Sequence, residues 1–161
     1  MKRRLLAALL LAAAPAGAQA RKGEIVVERP VMRASLGQAP NTAAYVVIRN
    51  TGSAPVRLLG ASCACARRVE IHRHEMRGGV MRMRAVAALT VPAGGRLALK
   101  PGHGHALMVM GLKKPVENGT KVELRLRFQR AGEIRVPFLA TRDVERALTG
   151  RGQGSPGAHA H

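Results

Sequence analysis

From Glu24 onward, apolar and polar positions alternate in short runs broken by turn residues. The clearest run is Val122, Leu124, Leu126 and Phe128, interleaved with Glu123, Arg125, Arg127 and Gln129. That period of two buries one face of a β-strand. Ile134, Val136 and Phe138 repeat it after Ala131-Gly132, which predicts a hairpin. Comparable runs predict strands over Ile25–Arg33, Ala43–Arg49, Val56–Ser62, Arg67–His74, Val80–Val86, Arg96–Lys100 and Ala106–Leu112. The breaks fall at Asn50-Thr51-Gly52, Gly78-Gly79, Pro92-Ala93-Gly94-Gly95 and Glu117-Asn118-Gly119. Helical periodicity shows only weakly, near Asp143–Leu148. Many short strands with regularly spaced turn signals predict an all-β sandwich or barrel.

The two ends read differently. Met1-Lys2-Arg3-Arg4, an apolar run from Leu5 to Ala14 and the ending Ala18-Gln19-Ala20 form the three regions of a secretory signal peptide, with cleavage expected after Ala20. The apolar run is too short for a transmembrane anchor, which needs about 20 residues. After Gly150 the chain becomes Arg-Gly-Gln-Gly-Ser-Pro-Gly-Ala-His-Ala-His, a Gly/Ser/Pro-rich composition that predicts a flexible tail. The expected organisation is a signal peptide over 1–20, one β-domain over 21–142 and a tail over 143–161 closing on His159 and His161. A chain of 161 residues has room for one such domain.

Charge changes the picture less than its size suggests. Losing Lys2, Arg3 and Arg4 takes the formal charge from +18 to +15, which invites a nucleic-acid reading. The arginines alternate along strands instead of forming a block, and Tyr45, Phe128 and Phe138 are the only aromatics for base stacking. Export also separates the protein from nucleic acid, leaving an acidic partner or peripheral contact with an anionic membrane as what the charge favours. The two cysteines, Cys63 and Cys65, flank Ala64. An oxidising compartment favours pairing, but an i, i+2 bridge within a strand is strained. Buried small residues, a labile redox pair and soft metal ligands all remain open.

The chemistry concentrates in two stretches. "VEIHRHEMRGGVMRM", residues 69–83, and "PGHGHALMVMGL", residues 101–112, hold four of the six histidines and five of the seven methionines. In the first, Val69 and Ile71 share one strand face, so Glu70, His72 and His74 take the other. Met81 and Met83 share a face opposite Arg82 and Arg84, and a turn at Gly78-Gly79 brings His72 near Met83. Thioether is a soft neutral ligand and imidazole a borderline one, a mixture that favours Cu(I) over zinc and over the hard ions that want carboxylates. Nothing resembles a Ser/His/Asp set, a phosphate loop or an acid/base carboxylate pair beside a nucleophile, so a carrier fits better than an enzyme.

These residues resemble the periplasmic copper chaperone family PCu(A)C. That family spaces its motif as His, ten residues, Met, twenty-one residues, His, one residue, Met; here ten residues separate His72 from Met83 and twenty-one separate Met83 from His105. "VEIH", "GVMRMR", "VPAGG", "LKPG", "MGLKKP" and "LRFQRAGEIRVPF" add to a likeness running over roughly Glu24 to Leu139. The last element departs from the pattern, because two residues, Ala106 and Leu107, separate His105 from Met108. In a regular strand those two side chains face opposite sides, and a one-residue bulge or a loop start before Leu107 gives them a common direction.

The resemblance implies a cupredoxin-like, Greek-key β-sandwich binding one Cu(I) through His72, Met83, His105 and Met108. His103 and Met110 stand in reserve, and His74, Met76 and Met81 are neighbours of the site, an exposed Met76 helping to pass copper on. It further implies a periplasmic carrier serving the copper-site subunit of cytochrome c oxidase, directly or with a Sco-type thioredoxin-like protein. Two other functions compete: a copper-sequestering protein with no dedicated acceptor, and a basic module for polyanions or membrane surfaces. For the tail, His159 and His161 make a weak Cu(II) site at most, since a flexible segment loses conformational freedom when it chelates.

Overall fold

The computed structural model describes residues 19–102 and 104–150. Residues 1–18, His103 and residues 151–161, with His159 and His161, lie outside the described residues. Among the described residues eleven strands follow in chain order: β1 (Gln19–Lys22), β2 (Ile25–Arg33), β3 (Asn41–Asn50), β4 (Val56–Ser62), β5 (Ala66–Arg77), β6 (Val80–Ala85), β7 (Leu89–Val91), β8 (Arg96–Leu99), β9 (His105–Leu112), β10 (Lys121–Phe128) and β11 (Gly132–Thr141), and then a helix α1 (Val144–Thr149).

Seven of these close on themselves in the order β2-β11-β10-β4-β5-β9-β3 and back to β2. The chain crosses between non-neighbouring strands from β3 to β4 and from β9 to β10, which is Greek-key wiring. The parallel β2–β11 pairing completes the closure. This is the all-β sandwich the sequence implied, and each alternating run does what its period requires. Leu124, Leu126 and Phe128 are buried while Glu123, Arg125 and Arg127 are exposed, and the β10–β11 register sets Leu124 across from Val136 and Leu126 across from Ile134. Each such side chain removed from water contributes roughly 1.5–3 kcal/mol. The inner face of the ring gathers Ile25, Met32, Val46, Ile71, Leu107, Val109 and the β10–β11 side chains into one core.

Two short strands escape sequence reading. β7 alternates over only three residues, buried Leu89 and Val91 around exposed Thr90, and holds its place by pairing with β4. β1 is polar and exists through its pairing with β2. In β2 the register shifts between Glu28 and Val31, where Arg29 has φ 52° and Pro30 follows. Proline cannot donate to a ladder and belongs at such irregularities. The shift turns Met32 inward and Val31 outward.

That outward turn matters for α1. Asp143 caps the helix by accepting the Arg146 backbone N–H at 3.1 Å, Gly150 ends it in the left-handed conformation, and the Arg29 guanidinium donates to the Leu148 carbonyl. Val144 and Leu148, four residues apart, share one helix face. They are buried with Val31, Tyr45 and Ala106 in a second, smaller cluster. The packed unit therefore runs through Thr149, past the boundary expected at residue 142. The weak periodicity near Asp143–Leu148 marks a real amphipathic turn.

Cys63 and Cys65 form a disulfide with a Cα–Cα distance of 5.1 Å. They sit in the turn between β4 and β5, not within a strand, so the objection from strand geometry does not apply.

Candidate metal centre

The site is built on the outer face of the β5–β9 region and on the arm that β5 and β6 extend beyond it. Gly78 and Gly79 have φ of 58° and 75°, the two positive values of a tight hairpin turn that side chains disfavour. The turn fixes the register at Met76↔Met81, His74↔Met83 and His72↔Ala85. Paired residues point to the same side of a sheet. One face of the arm therefore carries His72, His74, Met76, Met81 and Met83, and the other carries Arg73, Glu75, Arg82 and Arg84. Glu75 is held on that second face by Arg73 and Arg84, whose charges keep its carboxyl below the ordinary range, the Arg73 hydrogen bond first among the causes.

Ligand by ligand, the expected set is distributed as follows. His72 lies where β5 still has strands on both sides, with Ala106 of β9 and Ala85 of β6 as its neighbours. Its side chain is 14% exposed. Its Nε2 lies 2.8 Å from Glu70 Oε2. That hydrogen bond is the main reason the Glu70 carboxyl titrates below its usual value. An ionised carboxylate can only accept, so His72 Nε2 carries the proton and the lone pair of the neutral ring is left on Nδ1. A metal-binding imidazole characteristically donates its other N–H to a carboxylate in this manner. Met83 is 39% exposed and lies directly across from His74, placing it diagonal to His72. Met108 is half-buried on the same outer face, across from Glu70 and Ala43, and diagonal to His72 from the inner side.

His105 is the exception. The β5–β9 register runs without a shift from Arg73↔His105 to Arg68↔Met110. The bulge that would turn His105 toward Met108 is therefore not present, and alternation assigns His105 to the side of Arg73 and Leu107. Ala106 occupies the position across from His72. It is fully buried against Tyr45, Val31 and the helix, which leaves little room there for anything larger. Burial, then the charge of Arg73, then His74, lowers the His105 pKa below its ordinary 6.5. Met110, held in reserve by the sequence reading, shares the outer face with Met108 but sits farther inward, beside Arg68 and Asn41.

One feature escaped the sequence reading. His74, taken there as a bystander, has a buried Nε2 with no hydrogen-bond partner among the described residues. The signal that could have exposed it is the hairpin register: a two-residue turn at Gly78-Gly79 sets position 74, not 72, opposite 83. Among the described residues no three His, Cys, Asp or Glu side chains converge to hold a metal ion.

The comparisons with known proteins agree with this fold. The family model described as "Putative lipoprotein LpqE-like" matches residues 25–139, well over half the chain, and the chain belongs to that family. The "Putative lipoprotein Lxx21020" of Leifsonia xyli subsp. xyli is 39% identical over 88 residues, covering 54% of this chain and 52% of the relative. The match thus spans about half the length of that curated relative. Among solved structures, the copper-bound PCuAC domain from PmoF2 has a TM-score of 0.66 at 25% identity, covering 76% of this chain and 97% of that one. The Cu(I) form of DR1885 from Deinococcus radiodurans has a TM-score of 0.59 at 27% identity over 83% of each chain. The PmoF2 domain carries the PCuAC name that the spacing of His72, Met83 and His105 pointed to.

Proposed function

We propose that this protein is an exported Cu(I) carrier that loads the ion onto the outer face of the β5–β6 arm and hands it to an acceptor. The observation that supports it most is the convergence of His72, His74 and Met83 on one face, with the His72 ring oriented by Glu70. Softness selects the ion: neutral imidazole and thioether suit Cu(I), and no carboxylate cage for a harder one is found among the described residues. The copper named in the structures of the PmoF2 PCuAC domain and of DR1885 supports the same reading. The spacing along the sequence supports His72, Met83, His105 and Met108 as the ligands.

The layout suits transfer. Met76, Met81 and Met83 are 65%, 47% and 39% exposed at the outer end of the arm, where ligands of an acceptor can replace them one at a time. Neutral ligands need no proton to let go. Arg73, Arg82 and Arg84 on the reverse face favour encounter with an acidic partner. We assign the copper-site subunit of cytochrome c oxidase, or a Sco-type protein upstream of it, as the acceptor, and the periplasm as the compartment. The lipoprotein descriptions of the family and of the curated relative support export. No helix among the described residues is long and apolar enough to cross a membrane.

The test is transfer of copper. Protein loaded with one Cu(I) is mixed with a soluble oxidase fragment bearing the binuclear copper site, and the visible spectrum of that site is followed. Its appearance, at a rate that falls with added salt, is the expected result. Copper that stays on this protein, together with copper-sensitive growth of cells lacking it and normal oxidase activity, contradicts delivery and selects sequestration.

A further inference from the structure

We propose that His74, through Nε2, is the imidazole that joins Met83 in binding Cu(I) in this chain, in the place the sequence spacing gives to His105. The inference rests on the copper-carrier reading and deepens it. Four observations converge. The register sets His74 directly across from Met83, an imidazole and a thioether facing each other on adjacent strands. His74 Nε2 is buried and without a partner among the described residues, and a buried polar atom left unpaired costs about 1–3 kcal/mol. A soft cation arriving at that nitrogen removes the penalty, so the folded chain is poised for one. The backbone is fixed as well, because the His74 N–H donates to the Gly104 carbonyl at 2.8 Å. Finally, the alternatives are occupied or turned away: Ala106 fills the position across from His72 beneath α1, and the unbroken ladder puts His105 on the other side.

His72 and His74, two residues apart on one strand, project to the same side, and His72 offers Nδ1 because Glu70 takes its Nε2. The ion is then held between two imidazoles of β5 and one thioether of β6. One rung farther out, Met76 faces Met81 across the hairpin. This pair of exposed thioethers forms the next station outward, toward an acceptor.

The test compares full-length wild-type protein with His74→Gln and His105→Gln in Cu(I) competition against a chromophoric chelator, with circular dichroism as the check on folding. The expected result is an affinity loss of at least about ten-fold for His74→Gln, the scale on which even outer partners of a metal ligand count, and a change within about three-fold for His105→Gln. An undiminished affinity in His74→Gln, or a loss at His105 as large as that at His74, overturns the assignment. Should His74→Gln fail to fold, nitrogen NMR of the wild-type histidine rings decides. A Cu(I)-induced shift of His74 Nε2 upholds the proposal, and an unmoved His74 beside a shifted His105 overturns it. Wild-type protein that binds no Cu(I) sinks the carrier reading itself, an outcome distinct from either variant result.

Discussion

Replacing Glu70 tests how the centre is held together without touching a ligand. Its carboxylate accepts from His72 Nε2 at 2.8 Å and is steadied from the other side by Arg68 at 3.0 Å. With that acceptor gone, the His72 ring is free to turn and to carry its proton on Nδ1, the nitrogen offered to copper. Outer partners of metal-bound imidazoles change affinity about 10- to 100-fold when removed. The Glu70 side chain is 33% exposed, so water takes over part of its role, and the loss for Glu70→Ala belongs at the low end, about ten-fold. Glu70→Gln keeps an oxygen that accepts from Nε2 and forfeits only the charge, which puts its loss at roughly two- to three-fold. Competition with a Cu(I) chelator at neutral pH measures both. Equal affinity in wild type and Glu70→Ala would refute the reasoning. A glutamine variant as weak as the alanine one would show that charge, not ring orientation, is what Glu70 supplies.

Four further outcomes follow from the structure and the sequence. Asn50 is fully buried; its Nδ2 donates to the Ala54 and Val91 carbonyls and its Oδ1 accepts the Gly52 N–H. Asn50→Ala should therefore cost about 2–3 kcal/mol in urea unfolding, and a cost below 1 kcal/mol would mean that water replaces those bonds. Leu148→Ala opens the cluster of Val31, Tyr45 and Ala106 and should cost about 2–3 kcal/mol, whereas deleting residues 152–161 should leave Cu(I) stoichiometry intact and remove any Cu(II) resonance signal. His105 has a folded pKa below its unfolded value of 6.5, through burial first and then Arg73 and His74. Its contribution to stability is thus present above pH 6.5 and is lost as pH falls through the folded value. The urea midpoint should drop less between pH 7.5 and 5 in His105→Gln than in wild type, and parallel drops would contradict this.

Much of the architecture was legible because alternation is a local signal. β2 and β4 begin and end where the patterns over Ile25–Arg33 and Val56–Ser62 do, since side chains facing a closed ring must be apolar at every second position. β1 and β7 were not, because three or four residues carry too little periodicity, and only a partner strand makes them strands. The same contrast governs the site. The clustering of His72, His74 and Met83 and the softness of their chemistry are properties of composition. Which imidazole meets which sulfur is a property of register, set by the two-residue turn at Gly78-Gly79. The consequence of the extra residue between His105 and Met108 was open in the sequence, as a bulge and a regular strand are both compatible with it. The ladder to Arg68–Arg73 is regular, and α1, which sequence reading placed in a tail, covers Ala106 and closes that position.

X-ray absorption at the copper edge, on reduced protein carrying one Cu(I), tests the central claim most directly. The predicted spectrum is that of Cu(I) in a low-coordinate environment with both nitrogen and sulfur neighbours, the sulfur contribution falling in Met83→Ala. A nitrogen/oxygen-only environment, or a spectrum unchanged by loss of Met83, would contradict a copper centre on the β5–β6 arm.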